Sequence, residues 1–296
     1  MKTHTAYNRL VTIILVATVV LQSCSKTDDT VSMPEPPVPQ SNLPERIISD
    51  TAYGANAKQK MDIYLPARRT NQTKLIVMVH GGGWVEGDKN DVNNFVSLFR
   101  AKWPECAIAN INYRLANGTT VTYSNIMDDI KSAVNLMVNN KNNFNISDTI
   151  ALWGNSAGAH LALQYTYTTN NAGNIKCVAD VYGPAKINDW EWYKSVFPLN
   201  VKDIFTKLSG SGWDAELYKN LSPIETVTST SKPTIIFHGN LDFVVPIYQS
   251  QWFKSKLDQL GVPNEYHEYT DFHGFTVENN SDCVNKTVAF FKKHLK

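Results

Sequence analysis

The sequence has no excess of charge of either sign. Over 296 residues, 28 lysines and arginines stand against 27 aspartates and glutamates, a formal net charge of +1. Lys2 and Arg9 fall in a first segment, residues 1–23, that holds no acid; without it the balance is −1. A chain this balanced carries no electrostatic footprint for nucleic acid. Cysteine is scarce, at four residues: Cys24, Cys106, Cys177 and Cys283. With Cys24 set apart, the odd number left excludes a complete disulfide framework, and no Cys/His spacing suggests a zinc site. Cys106 and Cys177 sit in apolar, strand-like runs and read as buried thiols. No internal repeat is visible. The glycine-rich segments contain neither Gly-Lys-Ser/Thr nor a Gly-x-Gly-x-x-Gly that opens a helix, which argues against a phosphate loop. What is present is ordinary for a sizeable core: 43% apolar and 19% charged residues.

The N-terminus reads as a targeting segment. Lys2 and Arg9 precede an apolar run, Leu10 to Leu21, that is short for a membrane span. It ends in Leu21-Gln22-Ser23-Cys24, which resembles a bacterial lipobox. The resemblance implies cleavage before Cys24 and acylation of that cysteine, a membrane anchor worth about 0.8 kcal/mol per buried methylene. Ser25, where an inner-membrane retention signal tends to place Asp, favours the outer membrane. A plain secretory signal or an uncleaved anchor is the alternative. Residues 24–45 include the proline-dense run Met33 to Pro39 and read as an extended tether. A folded domain is expected over residues 46–296.

Strand and helix patterns then alternate. Strands are predicted over Ile47–Tyr53, Gln59–Leu65, Lys74–Val79, Cys106–Tyr113, Thr149–Trp153, Cys177–Val181, Thr234–His238 and Glu265–Tyr269. Helices are predicted over Val92–Trp103, Ile126–Val138, Ala159–Thr168, Ile247–Leu260 and Cys283–Leu295. Such alternation means an α/β fold with a mostly parallel sheet and helices on both faces. One interval, about residues 184–230, shows no strand and holds Trp190, Trp192, Tyr193, Phe197 and Trp213. It reads either as a crossover with long loops or as a small cap-like insert forming a pocket wall.

The chemistry centres on Gly154-Asn155-Ser156-Ala157-Gly158, between an apolar strand and a helix. A serine flanked by glycines at such a turn is a nucleophile elbow, too tight for side chains at positions 154 and 158. In that arrangement the partners follow in the order Ser, Asp/Glu, His. Asp242 and His273 stand at the carboxyl ends of two later strands, where functional groups of open parallel sheets gather. His273 is preferred over His80, His160, His238, His267 and His294; His80 and His238 suit turn shaping, and His294 reads as solvated. Asp271 is a rival acid, but it lies two residues from His273 and reads as a solvated loop carboxylate. Gly81-Gly82-Gly83 offers backbone donors, with Gly82, Gly83 and Ala157 expected to form an oxyanion hole. Trp84, Trp190, Trp192 and Trp213 are candidate substrate contacts.

Together, His80-Gly81-Gly82-Gly83-Trp84, Asn112 to Ala116, the elbow, His238 to Asp242 and His273-Gly274-Phe275 resemble an α/β-hydrolase. The likeness is to the esterase/lipase group: hormone-sensitive lipase-like carboxylesterases and bacterial feruloyl and acetylxylan esterase relatives. It extends from about residue 46 onward. It implies Ser156 as nucleophile, His273 as base, Asp242 as its orienter, and no metal or cofactor. The implied substrate is a small-molecule or oligosaccharide ester. Asn155, Asn117-Gly118 and Ala159 depart from the hormone-sensitive lipase-like pattern and bring the chain closer to the feruloyl-esterase-like branch, which also resembles arylformamidases.

Overall fold

The computed structural model describes residues 41–169, 173–195 and 200–296. The signal segment, Cys24, residues 24–40 of the tether and Phe197 lie outside the described residues.

Eight strands form one sheet: β1 (Arg46–Ala52), β2 (Lys60–Leu65), β3 (Leu75–Val79), β4 (Ala107–Ile111), β5 (Ile150–Asn155), β6 (Ile175–Val181), β7 (Thr234–Gly239) and β8 (Asn264–Tyr269). Their spatial order is β1-β2-β4-β3-β5-β6-β7-β8. The β1/β2 and β2/β4 pairs are antiparallel; all others are parallel. The parallel strands β3, β4 and β5 are apolar runs because both of their faces are covered.

Side-chain alternation along each strand splits the core in two. In β3, Leu75, Val77 and Val79 face one cluster, with residues of α2 (Tyr123–Asn139), α4 (Ala157–Gln164) and α9 (Tyr248–Gln259). Ile76 and Met78 face the other, with α1 (Asn93–Lys102) and α10 (Val277–His294). Helices therefore cover both faces of the sheet, the α/β-hydrolase arrangement. Short helix α3 (Lys141–Phe144) follows α2.

Caps explain where several helices start. α2 begins at Tyr123, ahead of the predicted Ile126, because Thr122 and Asn125 form a reciprocal capping box. α10 begins at Val277, well ahead of Cys283, because the Thr276 hydroxyl accepts from the Asn279 N–H. The elbow helix α4 is followed by a π turn over Tyr165–Thr169.

The strandless interval folds as α5 (Trp190–Tyr193), α6 (Val201–Ser209), α7 (Ala215–Asn220) and α8 (Pro223–Thr226). Phe205 and Tyr218 are buried here, and their rings lie 5.7 Å apart.

Candidate active site

β5 delivers Ser156 to the top of the sheet, and α4 starts at the next residue. Ser156 has φ 53° and ψ −125°, a conformation that costs about 1–3 kcal/mol for a residue with a side chain. The surroundings hold it there. Its N–H donates to Val181 O at 2.8 Å. A Cβ on Gly154 would lie 2.4 Å from the carbonyl carbon of Gly158, and one on Gly158 would lie 2.1 Å from Val79 O. The two glycines let strand and helix meet at backbone contact.

The loops after β7 and β8 bring in the partners. They are sewn together by Asn240 N–H to Tyr269 O at 2.8 Å and Leu241 N–H to Asp271 O at 3.0 Å. His273 Nε2 lies 2.8 Å from Ser156 Oγ, and His273 Nδ1 lies 2.6 Å from Asp242 Oδ2. A carboxylate only accepts, so Nδ1 carries the proton and the Nε2 lone pair faces the serine hydroxyl. Asp242 Oδ1 accepts from the N–H groups of Val244 at 2.8 Å and Val245 at 3.0 Å. Burial pushes the Asp242 carboxyl up, but hydrogen bonds from His238 and His273 outweigh it and hold it at about 2. The Tyr182 ring packs 4.8 Å from the His273 ring and confines it.

Two histidine roles and one acid differ from expectation. His238, read as a turn-shaping residue, also places Nε2 3.2 Å from Asp242 Oδ2. The four-residue spacing in His238-Gly239-x-x-Asp242 at a strand end was the available signal. Asp271 is buried, not solvated: its Oδ2 accepts from Thr276 N–H at 2.9 Å and Asn279 Nδ2 at 2.8 Å, fixing the start of α10. His294 is half-buried rather than solvated, and its ring packs on Phe290 at 4.5 Å.

The glycine loop after β3 is pinned from behind. Tyr113 donates its hydroxyl to His80 O at 2.9 Å and stacks on the His80 ring at 4.2 Å. Buried Lys89 donates to Asp62 at 2.7 Å, and its N–H donates to Asn112 Oδ1 at 2.6 Å. Gly82 turns back with φ 107°, so that its carbonyl accepts from Val85 and Glu86; a Cβ there would lie 2.2 Å from Glu86 O. The N–H groups of Gly82, Gly83 and Ala157 donate to no acceptor among the described residues. All three residues line the same pocket as Ser156.

That pocket has a volume of about 350 Å³. The interval 184–230 supplies one wall through Pro184, Trp192, Val201, Ile204 and Phe205, so it is a pocket wall. Trp84 and Trp192 line the pocket; Trp190 and Trp213 do not. Those two hold the insert to itself instead. Trp190 stacks on Tyr193 at 5.6 Å, and Trp213 packs on Tyr193 at 4.7 Å and Tyr218 at 5.1 Å. Trp84 is anchored by donating Nε1–H to His160 Nδ1 at 3.2 Å, while His160 Nε2–H donates to Leu221 O at 2.7 Å. Burial pushes the His160 and His80 imidazoles down to about 4, so both stay neutral. Glu86 also lines the pocket, a residue the sequence did not single out.

The family model described as BD-FAE matches residues 61–257, which carry the glycine loop, the elbow and Asp242. The chain belongs to the BD-FAE family. Among curated relatives of this BD-FAE protein is isoprenylcysteine alpha-carbonyl methylesterase ICME of Arabidopsis thaliana. It is 25% identical over 231 residues, which is 72% of this chain and 53% of that protein. Esterase LipC of Mycobacterium tuberculosis is 25% identical over 223 residues, 69% of this chain and 53% of that one. The chain thus spans about half the length of the curated relatives it matches. Among solved structures, a truncated form of a carbohydrate esterase from gut microbiota matches with a TM-score of 0.71 at 19% identity. The match covers 87% of this chain and 99% of that one, and it shows a shared fold.

Proposed function

We propose that the protein is a serine carboxylesterase that works through an acyl-enzyme. The observation that carries this reading is the hydrogen-bonded line from Ser156 Oγ through His273 to Asp242, at 2.8 and 2.6 Å, opening on one pocket. The esterase names of the curated relatives support the same reaction class. His273 Nε2 takes the hydroxyl proton as Ser156 Oγ attacks the ester carbonyl, and Asp242 stabilises the imidazolium that forms. The carbonyl oxygen, now an anion, turns to the N–H groups of Gly82, Gly83 and Ala157; each such pre-aimed donor is worth about 3–4 kcal/mol. His273 returns its proton to the leaving alcohol, and water repeats the two steps on the acyl-enzyme.

The substrate class in this reading is an acetyl or feruloyl ester of plant polysaccharide, seated against Trp84 and Trp192. A panel of acetylated and feruloylated oligosaccharides, p-nitrophenyl acetate and matched amides tests it. Ser156→Ala lowers p-nitrophenyl acetate turnover by about 10³-fold or more and abolishes labelling by a fluorophosphonate. Full turnover in that variant refutes the assignment. Preferential hydrolysis of the amides would move the protein to the arylformamidase class, and an unlabelled wild-type serine would make it a binding protein.

We also propose that Cys24 is acylated and that the tether holds the domain at the outer membrane. Metabolic labelling with a radioactive fatty acid tests this: label enters the wild-type chain and is absent from Cys24→Ser. Label retained in the variant refutes it.

A further inference from the structure

The His238 imidazole takes no part in the steps above, yet it is fully buried one residue before the end of β7. Its Nε2 lies 2.9 Å from Val245 O and 3.2 Å from Asp242 Oδ2, and its Nδ1 lies 2.6 Å from Ser250 Oγ. A carbonyl and a carboxylate both only accept, so the proton is on Nε2, bonded to Val245 O with Asp242 Oδ2 beside it. The Nδ1 lone pair then takes the Ser250 hydroxyl proton. The ring has a partner at both nitrogens. Two other acids stand near. Asp180 on β6 is buried and accepts from Gly183 N–H at 2.8 Å. Glu268, in register with His238 across β8, is exposed and accepts from Tyr266 and Gln251. Neither bonds to His238 among the described residues.

The consequence falls on Asp242. A carboxylate offers about four lone-pair sites. Here Val244 and Val245 N–H donate to Oδ1, His273 Nδ1 donates to Oδ2 at 2.6 Å, and His238 Nε2 flanks Oδ2 at 3.2 Å. The Asp242 side chain has 0% exposure, so bulk water does not replace a missing donor. The backbone pair fixes Oδ1 alone; the direction of Oδ2 is set by two imidazoles that approach from separate loops.

We infer that His238 is a positioning residue for the proposed esterase reaction: its Nε2–H holds Asp242 Oδ2 in line with His273 Nδ1. This rests on the assignment of Ser156, His273 and Asp242 made above. His238 touches no reacting atom; it acts through Asp242 on the orientation of His273.

The test compares three substitutions in the full-length protein with p-nitrophenyl acetate. His238→Leu keeps the apolar volume and removes the donor. His238→Gln returns an N–H near the Nε2 position. His238→Asn returns one only near Nδ1. The expected result is a kcat loss of about 10- to 100-fold in the Leu and Asn variants with KM within about twofold, and recovery to within about fivefold in Gln. The low-field proton resonance of His273 Nδ1–H, read by NMR, moves in Leu and Asn and returns in Gln. A purely structural role lowers the melting temperature and the folded fraction but leaves this resonance and the kcat per folded molecule in place. Asp271→Asn, a buried acid that caps α10, provides that comparison. Wild-type kcat and an unmoved resonance in the Leu variant would overturn the inference, as would failure of Gln to exceed Asn. If the Leu variant does not fold, the Gln–Asn contrast decides. Loss of the esterase reading itself is distinguishable, because then wild-type Ser156 takes no fluorophosphonate and Ser156→Ala hydrolyses the ester normally.

Discussion

Under the proposed serine-esterase reading, Asp242→Asn is the substitution whose outcome follows most directly from the geometry. The Asp242 oxygens are not equivalent. Oδ1 faces two backbone donors, Val244 and Val245 N–H, while Oδ2 faces His273 and His238. An asparagine must give its carbonyl to the backbone pair, since its NH2 group would otherwise meet two N–H groups head-on. The NH2 group then occupies the Oδ2 position and donates. His273 has to accept it at Nδ1, which drives its own proton to Nε2, the nitrogen 2.8 Å from Ser156 Oγ. That nitrogen then has no lone pair to take the serine proton. A wrong-tautomer change of this kind lowers kcat by about 10⁴-fold in a serine triad, or roughly 5.5 kcal/mol at 1.36 kcal/mol per decade. KM barely changes, because Asp242 does not line the pocket. Steady-state hydrolysis of p-nitrophenyl acetate reads the effect, with Asp271→Asn as the control that weakens the start of α10 and leaves kcat near wild type. A kcat for Asp242→Asn within tenfold of wild type would refute the tautomer argument.

Other outcomes follow from the same structure. Gly158→Ala forces a Cβ to within 2.1 Å of Val79 O and costs about 3 kcal/mol or more, with elbow activity lost; urea denaturation measures it, and an unchanged midpoint contradicts the elbow packing. His80 and His160 have folded pKa values near 4, below the usual 6.5, so the unfolded chain binds more protons between those values. Stability is therefore full above pH 6.5 and falls as the pH drops toward 4, by roughly 3 kcal/mol per histidine, and His160→Gln flattens that slope in urea titrations. Asp242 is depressed to about 2, so its contribution, roughly 2 kcal/mol, is present above pH 4 and is lost only below it, a second acid step missing from Asp242→Asn.

Local pattern was enough for the strands, the helices on both faces and the elbow, because each is written in short-range terms. Strand runs β3, β4 and β5 are apolar since both their faces are covered, and the elbow needs glycine two residues to each side of Ser156. The order Ser156, Asp242, His273 was legible because those residues follow the carboxyl ends of β5, β7 and β8, parallel strands of one sheet. Burial of individual polar side chains was not legible. Asp271 looked like an exposed loop acid, but Asn279, eight residues later on the first turn of α10, reaches back to cover it. Trp190 and Trp213 could not be separated from Trp84 and Trp192 by sequence, since all four are aromatic residues near glycine-rich or strandless segments. Only the packing of α5, α6 and α7 turns two of them into the insert and leaves the other two on the pocket.

The sequence by itself determined that an α/β sheet presents a strained serine, a glycine loop and two strand-end partners, because spacing and periodicity act over a few residues. The tertiary structure decided which donors meet which acceptors. Asp242 Oδ2 faces both His273 and His238, thirty-one and four residues away in the chain, and that arrangement exists only where the β7 and β8 loops are sewn together. Hydrogen bonds depend on distances of a few tenths of an ångström between groups far apart in sequence, and only the folded chain sets those distances.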